Sequence, residues 1–215
     1  MEPKTATRAQ KQGAEPVPDG SGTAAPARPR LLDFVGELLS AVDWRWILLP
    51  PLLLALELGL VYFWFLDGGR PLKDALEALS LVLLWSAVAL ALLRSLLIRK
   101  PFWLWLTLLV AALLFREYHL LKASTTIVYL TLAVLGWVAW RAYVGFAPYL
   151  RNRRFMTALM LMGLSYVFTQ TLDIDVFKQG HGVFGLTEEM MELTGHVFAL
   201  LGVIVAGPVA SSRDG

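Results

Sequence analysis

The chain contains no cysteine. Disulfides, thiolate metal sites and a cysteine nucleophile are therefore excluded. Charge is sparse as well: 17% of the 215 residues are Asp, Glu, Lys or Arg, where a soluble domain carries nearer a quarter. A formal net charge of +2 with no basic stripe of interleaved aromatics argues against nucleic acid as a partner. There are three histidines, one too few for a two-haem b-type arrangement, although His119 and His196 could clamp a single haem. No P-loop or G-x-S-x-G pattern occurs. Ser124 and Ser165 have no evident His and Asp company.

What is abundant is apolar sequence. Hydrophobic residues make up 57% of the chain and mean hydropathy is +0.59. They fall in long blocks rather than in alternation, which predicts spanning helices and not a membrane β-barrel. The expected fold is all-α, a polytopic membrane helix bundle of about six transmembrane helices, with the lipid bilayer as its surroundings. Residues 1–30 are polar, lack an apolar h-region and read as a disordered cytoplasmic tail rather than a signal peptide. Residues 31–45 read as an amphipathic interfacial helix: Leu31, Phe34, Val35, Leu38, Leu39 and Val42 share one stripe, and Trp44 and Trp46 follow as interface anchors. The tail or this helix is the candidate surface for a protein partner. Residues 46–209 form the transmembrane domain and 210–215 a cytoplasmic end.

The six spans are placed at about 46–66, 74–98, 101–121, 126–146, 155–172 and 188–206. Lys and Arg set their orientation. One side collects Arg28, Arg30, Arg45, Arg94, Arg99, Lys100, Arg141, Arg151, Arg153, Arg154 and Arg213; the other collects Arg70, Lys73, Arg116, Lys122 and Lys178. The bias puts both termini in the cytoplasm, and the chain in a cell inner (plasma) membrane.

That orientation gathers Glu77, Arg116, Glu117, His119, Gln170, Asp173, Glu188, Glu189, Glu192 and His196 in one outer layer, ~10 Å deep by helical rise. Glu57 lies deeper, about eleven residues into the first span, where a carboxyl costs on the order of 3 kcal/mol unless paired or protonated. On the sixth helix Glu189, Glu192 and His196 fall within an arc of about 60°. Beside them runs a small-residue stripe, Gly195, Ala199, Gly202 and Ala206, which lets a neighbouring helix approach and turns the acid face into the bundle. Glu117 and His119 are about 200° apart on a helix, so Glu117 is expected to face inward, with Arg116 or His119 at the headgroups.

Carboxylates and imidazole in a half-buried pocket suit a divalent metal, zinc or iron. Glu117, Asp173, Glu192 and His196 are the candidate ligands. Glu189 and Glu192 are the candidate catalytic residues, one carboxylate acting as general base on a metal-activated water. Glu57, Arg116, His119 and Gln170 are supporting candidates. Two plainer readings stand beside this one. Glu188 and Glu189 suit the first turn of a helix capped by Thr187, where acids are favoured by the helix dipole. Glu192 and His196 could simply hydrogen-bond to lock helix packing.

The run Phe115-Arg116-Glu117 with His119 and Lys122, then Gln170 and Asp173, then Glu188-Glu189 with Glu192 and Gly195, resembles small multi-pass bacterial inner-membrane proteins of uncharacterised type. The likeness covers the last three or four spans and implies a bacterial inner membrane but no activity. The functions left open are a metal-dependent hydrolase or transferase acting on a lipid-linked or envelope substrate, a non-enzymatic accessory or assembly subunit of a larger membrane complex, and an ion or proton translocator using Glu57.

Overall fold

A computed structural model describes residues 29–64, 69–118, 124–172 and 183–208. Among them all regular structure is helical: α1 (Leu31–Ser40), a 3-10 turn (Trp44–Trp46), α2 (Leu49–Trp64), α3 (Gly69–Ile98), α4 (Pro101–Glu117), α5 (Ser124–Arg141), α6 (Tyr143–Leu150), α7 (Arg153–Leu172) and α8 (Val183–Val205). Three stretches are long and apolar enough to cross a membrane, Trp44–Tyr62, Leu72–Ile98 and Arg153–Leu172. A fourth is reached if Tyr129–Arg141 and Tyr143–Leu150, bent by 100°, count as one. The expected tail, residues 1–30, lies almost wholly outside the described residues.

The bundle is arranged around α8, which packs most extensively against α7, then α3, then α2. The small-residue stripe explains the order. A Cβ on Gly195 would lie 3.5 Å from the Ser165 Cβ and 3.5 Å from the Tyr166 ring, and one on Gly202 would lie 3.7 Å from the Ala158 Cβ. Without bulky side chains at these points the α7 and α8 backbones come close and gain dispersion contact along the crossing. On the far side of α4 an aromatic layer fills the gap to α6: Phe102 stacks on Tyr149 at 4.0 Å between centroids and meets Phe146 and Phe155 edge-on.

Two local expectations are corrected. The fourth span was expected to run unbroken over 126–146; the helix stops at Arg141, and α6 turns away at 100°. Tyr143, Phe146, Ala147, Tyr149 and Leu150 are all buried; the turn brings the Phe146 and Tyr149 rings onto Phe102 of α4 and Tyr143 onto Phe34 of α1. The sixth span was expected to begin at Glu188 after a Thr187 cap. α8 begins at Val183 instead, and Thr187 is fully buried within it. Glu188 and Glu189 are therefore in the second turn, past the reach of a first-turn dipole effect. The short amphipathic helix expected over 31–45 is present as α1; Phe34 in it and Val42 after it are buried, while Leu31, Leu32, Val35 and Leu39 are exposed. The Phe34 ring meets Tyr143 edge-on, and the acids off the stripe do the rest. Glu37 pairs with Arg151 and Asp43 with Arg153, so α1 and the turn after it dock on the basic α6–α7 loop.

The end of the bundle that carries this loop is closed by two side chains. Arg94 donates to the carbonyl of Val203 at 2.6 Å and to those of Ile204 and Ala206, satisfying acceptors that a helix end leaves open. Asn152 donates to the carbonyls of Val205 and Gly207 and accepts from the amides of Arg154 and Phe155. One amide side chain thus closes α8 and opens α7.

Candidate functional site

At the opposite end of the bundle, adjacent residues of α4 face residues one turn apart on α8. The Arg116 Nη2 donates to Glu192 Oε1 at 2.6 Å, with both side chains largely buried. Beside it the His196 Nε2 lies 3.2 Å from Glu117 Oε1. Two rungs result: Arg116 with Glu192, Glu117 with His196. The i,i+4 spacing on α8 and the i,i+1 spacing on α4 produce them together, because the 100° step from Arg116 to Glu117 straddles the line between the helices.

His196 is completely buried. Its Nε2 contact to Glu117 is close but off the N–H axis, and neither ring nitrogen makes a directed hydrogen bond. A buried imidazole in this state is unusual, because an unsatisfied buried polar group costs about 1–3 kcal/mol. Tyr166 on α7 completes the cluster. Its ring lies 5.7 Å from that of His196, the Arg116 guanidinium sits over its face at 5.1 Å, and its hydroxyl is buried without a hydrogen bond. One guanidinium faces two carboxylates, with the imidazole beside them.

A cavity of about 480 Å³ adjoins the cluster, between α4, α5 and α7. Its depth is apolar, walled by Leu113, Leu132 and Met162. Its outer end is polar. Arg116 and Tyr166 form the wall it shares with the cluster, and Gln170 accepts there from the Tyr129 hydroxyl at 3.2 Å. Tyr129, Gly163 and Val167 are exposed, so the groove opens on the side of the bundle.

The candidate residues fare differently. Glu117, Glu192 and His196 do converge, from two helices. Arg116 or His119 was expected at the headgroups; Arg116 points inward, its long side chain reaching the Glu192 carboxylate. Glu189 was expected to act beside Glu192; it lies 2.9 Å from Lys73 of α3, which also meets Glu77 at 3.6 Å. The 60° that separates Glu189 from Glu192 is enough to aim it at a different neighbour. Glu57 is buried but accepts from Thr194 at 3.1 Å, on the face of α8 turned to α2 and away from Glu192. Gln170 lines the groove. Asp173 and His119 lie outside the described residues. Among the described residues no three His, Asp or Glu side chains form a group that could hold a metal ion. The expected ligand Glu192 is engaged by a guanidinium instead.

Tyr166, Tyr129, Lys73 and Thr194 were not singled out from sequence. Tyr166 could have been: it is one turn from Gln170 on α7, on the same face. No protein-family model, no curated protein and no solved structure matches the chain.

Proposed function

We propose that the chain crosses the membrane six times with both termini cytoplasmic, and that it is a hydrolase or transferase acting on a lipid-linked substrate at its outer face. The observation that carries this reading is the fully buried His196, with neither ring nitrogen in a directed hydrogen bond, set behind Arg116 and Tyr166 at the polar end of a laterally open groove. A purely structural imidazole would be expected to use its ring nitrogens. Small-molecule sites combine an apolar wall with a few convergent polar groups, as this one does. The apolar depth suits a hydrocarbon chain entering from the bilayer, and Arg116 suits an anionic or carbonyl headgroup.

In the proposed reaction an attacking water or hydroxyl bonds to the electrophilic centre of the headgroup. Its proton passes to the His196–Glu117 pair and from there to the leaving oxygen. Arg116 offsets the negative charge that develops between these events. A divalent cation at Glu192 would have to displace Arg116, so this reading needs no metal there. Metal analysis of the purified protein distinguishes it from the metal-dependent reading, which requires stoichiometric zinc or iron lost on Glu192→Ala.

The test is reconstitution into vesicles of total bacterial polar lipid, with lipid products followed by mass spectrometry. Wild type should generate a new lipid species. His196→Gln should abolish the product while lipid stays bound. Gly163→Trp should abolish both, since a Cβ at Gly163 meets nothing within 4 Å and a ring built there extends into the groove. Product formation undiminished in His196→Gln would defeat the proposal.

A further inference from the structure

A second cavity, of about 520 Å³, lies at the other end of the bundle, between the beginnings of α2 and α7 and the end of α8. Its mouth carries Arg153, Arg154 and Trp46, and its interior is apolar, with Leu161, Leu201 and Val205 among its walls. We propose that this cavity binds one anionic phospholipid of the cytoplasmic leaflet, phosphate at the two arginines and an acyl chain along the apolar interior.

Charge complementarity argues for the headgroup. The mouth holds two guanidiniums and one carboxylate, that of Asp43. Asp43 is already shared between Arg153, at 3.6 Å, and the backbone amide of Arg45. The Arg154 side chain has no partner among the described residues. An uncompensated cation at a membrane surface attracts anionic lipid, and planar guanidinium groups suit phosphate oxygens in particular.

Depth argues for a lipid rather than a free anion. Arg153 and Leu161 are eight positions apart on α7, so the cavity runs about 12 Å along the helix into its apolar part. A phosphate ion would leave that length unfilled; an acyl chain occupies it. Trp46, half exposed at the mouth, has the amphipathic ring that settles at headgroup level. Arg153, Arg154 and Trp46 take no part in the outer cluster, so this inference is independent of the proposed reaction.

The experiment is native mass spectrometry of the full chain released from nanodiscs containing equal phosphatidylglycerol and phosphatidylcholine. Wild type should retain one phosphatidylglycerol with about a thirtyfold preference, the scale expected when two arginines, at about 1 kcal/mol each, meet one anionic headgroup. Arg153→Gln/Arg154→Gln should bring the preference to near unity, and Arg154→Gln alone should lower it partway. Arg99→Gln/Lys100→Gln, at the other basic turn, should leave it unchanged. Equal loss in that control would show a general charge effect and overturn the site. Displacement of the lipid by millimolar inorganic phosphate would also overturn it, since it would show an anion site only.

Discussion

Replacing Arg116 tests the buried rungs most directly. The Arg116–Glu192 contact is 2.6 Å between N and O, with the two side chains 14% and 11% exposed. At about 4 Å between charge centres and an effective dielectric near 20, the attraction is about 4 kcal/mol. Removing one partner of such a pair costs about 3–5 kcal/mol, because the other charge stays buried and alone. The two singles should not be equal. Arg116 is within electrostatic reach of both Glu192 and Glu117, so Arg116→Met leaves two carboxylates facing each other without a cation. Glu192→Leu leaves Arg116 near Glu117. Arg116→Met should therefore be the more destabilising, and the double variant should recover about 2–4 kcal/mol of the summed losses. The assay is a double-mutant cycle from reversible SDS titration in bicelles, followed by tryptophan fluorescence. Additive singles, with a coupling under about 0.5 kcal/mol, would refute the reasoning.

Three further outcomes are expected. Burial by itself raises the Glu37 carboxyl, but hydrogen bonds from Tyr143 and Arg151 and the Arg151 charge outweigh it and hold the group below its ordinary value of 4.5. Its contribution to docking α1 is thus present above that value and lost as pH falls through the lower one; the hydrogen-exchange protection of 31–40, taken relative to the intrinsic exchange rate at each pH, should fall on acidification in wild type but stay constant in Glu37→Gln, and constant protection in wild type would count against the latch. At the α7–α8 crossing Gly195→Ala should be nearly neutral, since its Cβ meets ordinary contacts at 3.5 Å, whereas Gly195→Leu should cost about 1–3 kcal/mol by overpacking against Tyr166; thermal stability in detergent separates the two, and equal effects would contradict close packing there. The absence of cysteine makes single-cysteine labelling free of background: Ser40→Cys should react with an impermeant maleimide only after cells are opened and Lys122→Cys before, and the reverse pattern would invert the topology.

Much of the fold was legible in the sequence because long apolar helices announce themselves by length and composition. A helix occupies each of the six segments expected to cross the membrane, within a few residues at most ends. The break after Arg141 was not legible, because what decides it is the burial of Tyr143, Phe146 and Tyr149 on α4, a contact between segments some forty residues apart. The early start of α8 was missed for a related reason: Thr187 reads as a cap in isolation, yet the apolar Val183–Leu186 run extends the helix by a turn.

By itself the sequence determined the helices, the polar layer at one end and the stripe that brings α7 onto α8, since each follows from residue type and the 3.6-residue period alone. Only the tertiary structure decided which polar group meets which. Arg116, Glu117, Glu189, Glu192 and Glu57 all carry the same signal, a charge near an apolar segment. Their partners depend on how α2, α3 and α4 are rotated about α8, and rotations of tens of degrees redirect a side chain from one neighbour to the next. That is why Glu189 meets Lys73, Glu57 meets Thr194, and Arg116 stands at the carboxylate of Glu192.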